Sequence, residues 1–335
     1  MNTKEKMKDF ITQFDLHFNN AITTVLDEQK NFHSSEVFLD EKLEESLLKY
    51  AQNGKRVRPY IIHLLSGKTL TDTDVFNTTV SVELFHLMAL IHDDIMDQST
   101  VRRGVPTIHT AVSSYCHNNT HLGEGIALLL GDSFLIESLR YAQKVTTEIF
   151  EEISLILQRT VRGQYLDVLG MDTRLAENEK NIVYDREYLK TAWYTFAGPA
   201  KLGLLLNDTK YTNLEIEKIV EVYIELGLLF QIRDDIIDCD PQRKDKTPFE
   251  DIREGKTTWV SLFLKERYPE KYQDIINAKV HDNFAAIAEV FATVDLSGEY
   301  QKEFARCETL IETIRHDAEV YKKTVSILEL LKLPS

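Results

Sequence analysis

The sequence predicts an all-α protein, and three observations support this prediction. Apolar residues recur at helical spacing along most of the chain; in the first segment they are Phe10, Phe14, Phe18, Ile22 and Val25. The 335 residues include only 13 glycines and 7 prolines, so turn-forming residues are scarce. No stretch shows the sustained alternation of apolar and polar residues, with hairpin turns, that is typical of β-strands.

Helical periodicity predicts a succession of long helices. After the first segment, helices are expected at 37–50, 74–97, 124–142, 145–170, 186–207, 212–238, 256–267, 280–293 and 300–331. The connections between them are short and polar, and none has the composition of a flexible tether. We therefore expect a single domain over residues 1–335, a large helical bundle whose side chains converge on a central cavity.

Charge and cysteine content exclude several classes of function. The net charge of −15 gives no general electrostatic reason to bind nucleic acid. The 3 cysteines are widely spaced, so neither a disulfide framework nor a CxxC metal site is indicated. The first segment lacks a signal-peptide core, and no uncharged run approaches the roughly 18 residues of a membrane span. We expect a cytoplasmic protein without a transmembrane segment.

Two acidic motifs of the form DDxxD each end an apolar helical run. They are LIHDDIMD at 90–97 and QIRDDIID at 231–238, and they supply Asp93, Asp94, Asp97, Asp234, Asp235 and Asp238. At about 100° per residue, the first and last aspartates of a motif lie about 40° apart on the helix. Crowded carboxylates raise each other's pKa unless cations are present. Oxygen ligands suit Mg²⁺, which usually binds one or two carboxylates together with substrate phosphates. The motifs therefore indicate a diphosphate bound as a magnesium complex.

Basic residues lie close to the first acidic motif in the sequence. The segment GKRVRP supplies Lys55, Arg56 and Arg58, and VRRG supplies Arg102 and Arg103. Arginine forks and lysine charges suit phosphate oxygens. A single acidic helix end or a single basic cluster is more often a solvated surface. The repetition of the acidic motif, with cations beside it, favours a site.

In these motifs the chain resembles the trans-isoprenyl diphosphate synthases, also called polyprenyl synthetases. The matching motifs run in family order: GKRVRP, LIHDDIMD with RRGVPTIH, GIALLLGD, GQYLD, KTAWYTFAGPAKLG, FQIRDDIID and DIREGKTT. The resemblance implies the isoprenoid synthase fold around a deep cavity, a homodimer, and three Mg²⁺ ions per active site. The implied reaction condenses isopentenyl diphosphate with an allylic diphosphate.

The resemblance also implies roles for the matching polar residues. The residues that hold magnesium would be Asp93, Asp94, Asp97, Asp234 and Asp235, with Asp238 near the second cluster. Contacts to the allylic diphosphate would come from Arg102, Lys190, Lys246 and Lys256. Isopentenyl diphosphate would be bound by Lys55, Arg58, His86 and Arg103. The polar groups that line the reaction centre would be Gln164, Asp167, Thr191 and Gln231.

The implied mechanism is dissociative. Positive charge stabilises the leaving diphosphate, the allylic C–O bond ionises, and the double bond of isopentenyl diphosphate attacks the carbocation in an apolar cavity. Two alternatives share the fold. One is a subunit that depends on a partner for catalysis, although such subunits usually have degraded acidic motifs. The other is a terpene cyclase, which needs no isopentenyl site.

The segment after the second acidic motif departs from the family pattern. The family commonly has GKxxGxD there, whereas this chain reads DKTPFED, with Asp245 and Phe249 in place of the glycines. Lys246 and Asp251 remain. We therefore expect the loop to close differently over the diphosphates.

Product length in the family is set mainly by side chains that precede the first acidic motif. Ala89 and Met88 stand four and five residues before Asp93, and Phe85 lies another turn away. Farnesyl-type enzymes tend to place an aromatic residue at the fourth or fifth position, and this chain has none there. We expect geranylgeranyl diphosphate, or a somewhat longer product, with Phe85, Met88 and Ala89 as the floor.

Overall fold

The structure is a computed structural model that describes residues 2–31, 41–52, 54–169, 179–207, 211–243 and 247–333. The chain divides into two compact units, each formed by two stretches of sequence. The first unit comprises Met1–Leu157 with Pro199–Thr212, and the second comprises Gln158–Gly198 with Asn213–Ser335. The single domain expected from the sequence stays a prediction.

Helices account for most of the first unit. They are α1 (Thr3–Asn31), α2 (Glu41–Ala51), α3 (Val57–Ser66), α4 (Thr73–Met96), α5 (Ile108–Tyr115), α6 (Thr120–Gln143) and, after the second crossing of the chain, α9 (Gly198–Leu205). A short antiparallel hairpin, β1 (Val101–Arg102) with β2 (Val105–Pro106), joins α4 to α5. Helix α7 (Thr147–Leu169) begins in the first unit and ends in the second.

The second unit is also helical where the structure describes it. Its elements are α8 (Glu179–Arg186), a π-helical segment (Glu187–Ala197), α10 (Asn213–Asp238), α11 (Glu250–Glu254), α12 (Trp259–Arg267), α13 (Pro269–Val280), α14 (Phe284–Phe291), α15 (Leu296–Ile311), a 3₁₀ turn (Glu312–Ile314) and α16 (Ala318–Leu330). The all-α prediction is confirmed.

Helix α4 is the central element of the first unit. It begins where the Asp72 carboxylate accepts hydrogen bonds from the backbone of Asp74 and Val75, which satisfies two N–H groups of its first turn. It packs mainly on α6, and Ser81 and Ser138 each donate to the other's carbonyl at 2.8 Å across the two helices. This close packing fixes the position of the first acidic motif.

Helix α4 is long and apolar enough to pass a length and composition test for a membrane span, but 72% of its apolar window is buried. Among the described residues it is the one helix that passes, and such burial is typical of a core helix. The expected cytoplasmic location stays a prediction.

Helix α10 carries the second acidic motif and packs on the π-helical segment. Gly227 allows this approach, because a Cβ there would lie 2.4 Å from Ala192 Cα. Phe196 and Phe230 pack at a ring-centroid distance of 5.3 Å in the same interface. Beside α10, the apolar side chains of α12, α13 and α14 form a cluster around Leu264.

The predicted helices agree with the structure best where the apolar run is long. Those expected at 74–97, 145–170 and 212–238 are confirmed within two residues as α4, α7 and α10. Residues 37–40 of the first short prediction lie outside the described residues.

Other predicted boundaries were wrong for identifiable reasons. The helix expected from 256 begins at Trp259, because the Thr258 side chain caps it in a capping box with Ser261. The helix expected at 300–331 is divided by a 3₁₀ turn and by the N-cap Asp317. Helix α3 was not predicted, although Pro59 lies in its first turn, where the missing N–H costs no hydrogen bond.

Phe249 replaces a family glycine and keeps a glycine-like backbone. Its φ is 62° and its ψ 32°, the left-handed region that costs a non-glycine residue about 1–2 kcal/mol. Its ring is buried and stacks on Phe291 at 5.9 Å between centroids. The backbone N–H of Phe249 donates to the Asp238 carbonyl at 2.9 Å. Burial of the ring therefore offsets the backbone strain.

We predict an inverted order of stability at this position. Phe249→Ala and Phe249→Gly both lose the buried ring, at about 3–5 kcal/mol, but only glycine relieves the positive φ. The Gly variant should therefore be more stable than the Ala variant by about 1 kcal/mol in urea unfolding. At Phe304, a buried position inside α15, the same pair should show the ordinary order, with Ala the more stable by about 1 kcal/mol. If Phe249→Ala were as stable as Phe249→Gly, the proposed backbone strain at this position would be contradicted.

Candidate active site

The first acidic motif ends α4, and its second aspartate is buried. Asp94 Oδ2 accepts a 2.5 Å hydrogen bond from the Tyr50 hydroxyl of α2, and Asp94 Oδ1 accepts from Arg102 Nε at 2.7 Å. Asp93 accepts from Arg102 Nη2 at 3.2 Å and keeps 17% of its side chain exposed. Asp97, the C-cap of α4, is half-buried. Protein groups thus enclose Asp94 more fully than Asp93 and Asp97, which are half-buried.

Charge and burial compete at this buried group. Burial raises the pKa of Asp94, and the guanidinium of Arg102 offsets this only in part. Burial also raises the pKa of Tyr50, and the neighbouring Asp94 carboxylate adds to that rise. Burial alone would lower the pKa of Arg102, but Asp94 outweighs it and the pKa is raised. Tyr50 therefore stays protonated and Arg102 stays charged near neutral pH.

The two arginines after the motif lie on the β1–β2 hairpin. Its turn residues Arg103 and Gly104 have φ values of 53° and 80°, as a tight two-residue hairpin turn requires. Arg102 stands in β1 and points to the motif, whereas Arg103 Nη1 lies 3.5 Å from the Gln52 carbonyl. The turn therefore gives consecutive arginines different partners.

Arg56 belongs to the GKRVRP cations but is occupied by the protein. It is buried in the left-handed conformation, with φ 48°, and its guanidinium donates to Asp15 and Glu83, both at 2.7 Å. Lys55 before it is exposed, and Arg58 after it is half-buried. Arg56 thus fixes the segment through two carboxylates of the protein.

His86 lies on α4 two turns before the acidic motif. Burial lowers the pKa of His86 well below its ordinary value, and the charges of Arg58 and Arg103 lower it further. The imidazole is therefore neutral near pH 7, so that it can serve a substrate as a hydrogen-bonding group but not as a positive charge.

The second acidic motif repeats part of this arrangement. Asp234 keeps 38% of its side chain exposed. Asp235 is buried, and its oxygens accept from Gln231 Nε2 at 2.7 Å and from the Trp259 N–H at 2.9 Å. Asp238 is buried too, and accepts from Arg243 and from the Asp251 N–H, both at 3.1 Å. In both motifs the first aspartate reaches solvent and the second is held by the protein.

The π-helical segment presents Lys190 and Thr191. Lys190 Nζ donates to Asp167 at 2.6 Å, and the Thr191 hydroxyl donates to Gln231 Oε1 at 2.6 Å. Gly163 of α7 permits this approach, because a Cβ there would lie 2.8 Å from Lys190 N. Gln164 is half-buried on α7, three residues before Asp167. The wider π-helical turn, which is frequent at functional sites, is not visible in the sequence pattern.

A polar cavity of about 130 Å³ lies among these residues. Its lining includes the cations Arg186, Lys190 and Lys256 and the acids Asp167, Glu187, Asp235 and Asp251. Burial raises the pKa of Glu187 to about 7, and burial together with the Glu187 charge raises the pKa of Asp235 well above its ordinary value. Glu187 and Asp235 therefore bind a proton more readily than ordinary carboxylates do.

The donor chemistry of the half-buried aspartates fits Mg²⁺. Asp93, Asp97 and Asp234 offer hard carboxylate oxygens that protein groups leave partly accessible. Within the part of the chain that the structure describes, no three or more His, Cys, Asp or Glu side chains form a complete metal site.

Hydrogen bonds join some of the predicted site residues into two groups, one in each unit. Asp93, Asp94 and Arg102 are joined in the first, and Asp167, Lys190, Thr191, Gln231 and Asp235 in the second. Lys246 lies outside the described residues, as does Asp245. Sequence reasoning missed Tyr50, Arg186 and Glu187, because none of them belongs to a recognised motif. Only the packing of the helices places them beside predicted site residues.

Comparison with known proteins defines the class of the protein, a trans-prenyltransferase. The polyprenyl synthetase family matches residues 40–296. A geranylgeranyl diphosphate synthase of Saccharolobus solfataricus is 32% identical over 257 residues, 72% of this chain and 71% of that protein. A nonaprenyl diphosphate synthase of Mycobacterium tuberculosis is 30% identical over 254 residues, 73% of this chain and 71% of that protein. The chain belongs to the polyprenyl synthetase family, as its motifs predicted.

A solved structure supports the fold over nearly the whole length. The geranylgeranyl pyrophosphate synthase of Corynebacterium glutamicum, complexed with isoprenyl diphosphate and magnesium, superposes with a TM-score of 0.73. The match covers 96% of this chain and 99% of that one at 24% identity. The predicted isoprenoid synthase fold is confirmed.

Proposed function

We propose that the protein condenses isopentenyl diphosphate with an allylic diphosphate and elongates the chain head to tail. The observation that carries this proposal is the common arrangement of the two acidic motifs. In each, a buried second aspartate is held by hydrogen bonds, and the first aspartate is left accessible. Rigidly held carboxylates beside lysines and arginines suit the binding of a metal diphosphate.

We propose Mg²⁺ as the metal, with Asp93, Asp97 and Asp234 as direct ligands. Asp94 and Asp235 then act through the protein, because each is buried and already accepts two hydrogen bonds. Asp238 would also act through the protein, since its carboxylate accepts hydrogen bonds from Arg243 and from the Asp251 N–H. When bound, Mg²⁺ would neutralise charge on the leaving diphosphate. The number of three ions stays a prediction.

Cationic side chains would divide between the two substrates. Arg102, Lys190 and Lys256 would bind the allylic diphosphate and stabilise its charge as the C–O bond breaks. Lys55, Arg58 and Arg103 would bind isopentenyl diphosphate, with neutral His86 as a hydrogen-bonding partner. Because a carbocation is quenched by water, the apolar side chains of α4 next to the motif would shield it.

The polar pair Thr191 and Gln231 would orient the reaction centre. Their hydrogen bond, continued from Gln231 to Asp235, holds three polar groups in one line along α10 and the π-helical segment. Such preorganised dipoles need little rearrangement when charge develops. Gln164 and Asp167 would support the same region from α7.

The direct experiment is incubation of the purified chain with Mg²⁺, isopentenyl diphosphate and C5, C10 or C15 allylic primers, followed by product analysis. We expect elongated all-trans diphosphates, and no product when EDTA removes the metal. Failure of the chain alone to elongate any primer would contradict the proposal. Activity restored only by a second subunit would instead identify a dependent subunit.

We predict that Asp93→Asn or Asp234→Asn lowers kcat by about 10² or more, since each removes a metal-ligand charge at nearly constant size. Because Asp234 is 38% exposed and an amide at position 93 can still accept from Arg102, the unfolding midpoint should change little. Steady-state kinetics with saturating Mg²⁺ and circular dichroism check both expectations. Asp185→Asn, an exposed aspartate of α8, is the control and should keep wild-type turnover. Wild-type turnover in the Asp93 or Asp234 variant would rule out that ligand.

Product length is proposed to be C20 or somewhat longer. Phe85 and Met88 are buried on α4, and Ala89 is half-buried, one turn before the motif. The relatives that share the family include a geranylgeranyl and a nonaprenyl diphosphate synthase, so family membership leaves the length open. Each added C5 unit changes the free energy of apolar burial by only a few kcal/mol. Small changes in the side chains at the floor of the cavity can therefore change the product length.

We predict that Met88→Phe shortens the product by at least one C5 unit, because the ring fills space that the growing tail would enter. Reversed-phase analysis of dephosphorylated products measures the change. The same substitution at Met7, half-buried on α1 and outside the motifs, is the control and should leave the products unchanged. An unchanged spectrum for folded Met88→Phe would place the floor elsewhere.

We propose a homodimer that forms through α6. Leu122, Leu129 and Ile136 recur every seven residues, which places them on one face of the helix, and all three are exposed. Leu128 widens this apolar stripe. Contiguous exposed apolar surface of this kind usually marks an interaction site.

We predict that the double variant Leu129→Asp, Ile136→Asp is monomeric, because each carboxylate would be desolvated in the interface. Light scattering after size exclusion measures the mass, and wild-type helicity by circular dichroism shows that the fold persists. Leu16→Asp is the control, since Leu16 is 65% exposed but lies on α1. A dimeric double variant, or a monomeric wild type, would contradict this interface.

A further inference from the structure

Residues 256–259 join α11 to α12 in the second unit, and we call this segment the strap. It begins with Lys256, proposed above as a contact of the allylic diphosphate, and ends with the first residue of α12. The strap has no regular secondary structure before Trp259, and side chains from outside it bind its backbone, in addition to the hydrogen bond from the Lys256 N–H to the Asp251 carbonyl at 2.9 Å. Two such side chains hold adjacent peptide groups.

Arg186, the last residue of α8, holds the first of these groups. Its Nη2 donates to the Thr257 carbonyl at 2.8 Å, and its side chain is only 10% exposed. Asp235 holds the second, because its Oδ2 accepts from the Trp259 N–H at 2.9 Å. The strap is thus fixed from α8 on one side and from the second acidic motif on the other.

Arg186 is itself fixed by Asp167. Its Nη1 lies 3.5 Å from Asp167 Oδ1, while Lys190 Nζ donates to Asp167 Oδ2 at 2.6 Å. Burial alone would raise the pKa of Asp167, but Lys190, Lys256 and Arg186 outweigh it and lower the pKa. One ionised carboxylate therefore sets the position of two neighbouring cations and attracts Lys256 as well.

We propose that Arg186 is a positioning residue for the transferase reaction, which places Lys256 against the allylic diphosphate by fixing the strap. This inference rests on the proposed function. A guanidinium suits the task, because its planar fork can bind a carboxylate and a carbonyl at once, whereas an ammonium is a single point charge. Arg186 acts through the strap and touches no reacting atom.

The test is a double-variant cycle with Arg186→Gln and Lys256→Gln, read as kcat/KM for the allylic primer. Arg186→Gln should lower it about tenfold to a hundredfold, the effect of one hydrogen bond to a charged group. If Arg186 acts through Lys256, the double variant should be within about twofold of Lys256→Gln alone. Independent effects would instead multiply.

Two further measurements separate positioning from general damage to the fold. The KM for isopentenyl diphosphate should change less than about twofold in Arg186→Gln, because the strap is proposed to serve only the allylic substrate. Arg186→Lys should recover about half of the lost activity on a logarithmic scale, since an ammonium can still reach one of the two partners. Arg267→Gln, an exposed arginine at the end of α12, is the control and should match wild type.

The outcomes are distinct. An active wild type with multiplicative effects, or with equal losses for both substrates, overturns the role of Arg186 and leaves the proposed function intact. A wild type that elongates no primer overturns both. If Arg186→Gln does not fold, a cycle of Arg186→Lys with Lys256→Gln replaces it. That cycle tests the same coupling, because it compares the effect of the Arg186 substitution with and without Lys256.

Discussion

The candidate site depends on the burial of one carboxylate in each acidic motif. A buried carboxylate is costly unless it is hydrogen-bonded or paired. Asp94 meets this condition with Tyr50 and Arg102, and Asp235 meets it with Gln231 and a backbone N–H of α12. The partners come from other elements in every case except Gln231. The packing of those elements therefore fixes the direction of the accessible aspartates.

Much of this architecture could be predicted from the sequence, and the reason is periodicity. Long apolar runs predicted α4, α7 and α10 accurately. The DDxxD motifs at the ends of α4 and α10 predicted the two clusters of carboxylates. A rotation of 100° per residue also separates Asp93 from Asp94, which agrees with their different exposure. A residue pattern that repeats within one helix can be recognised from the sequence alone.

The remaining features depend on contacts between elements that are distant in sequence. Tyr50 is an ordinary apolar position of α2 until Asp94 lies beside it, 44 residues later. Arg186 meets its carbonyl partner 71 residues further along the chain. The π-helical segment lies close to Gly163 of α7 and Gly227 of α10, and helical propensity does not encode such contacts.

At Phe249 the sequence departs from the family pattern, but the backbone keeps a conformation that glycine favours. Glycine is the residue that most readily takes a positive φ, and here Phe249 has a φ of 62°. Its ring, buried against Phe291, supplies the free energy that the left-handed backbone costs. The chain therefore continues from Asp238 into α11 and the strap with two hydrogen bonds to Asp238, from Phe249 and Asp251. The sequence departure changes how the loop is stabilised, and the loop remains tied to the second acidic motif.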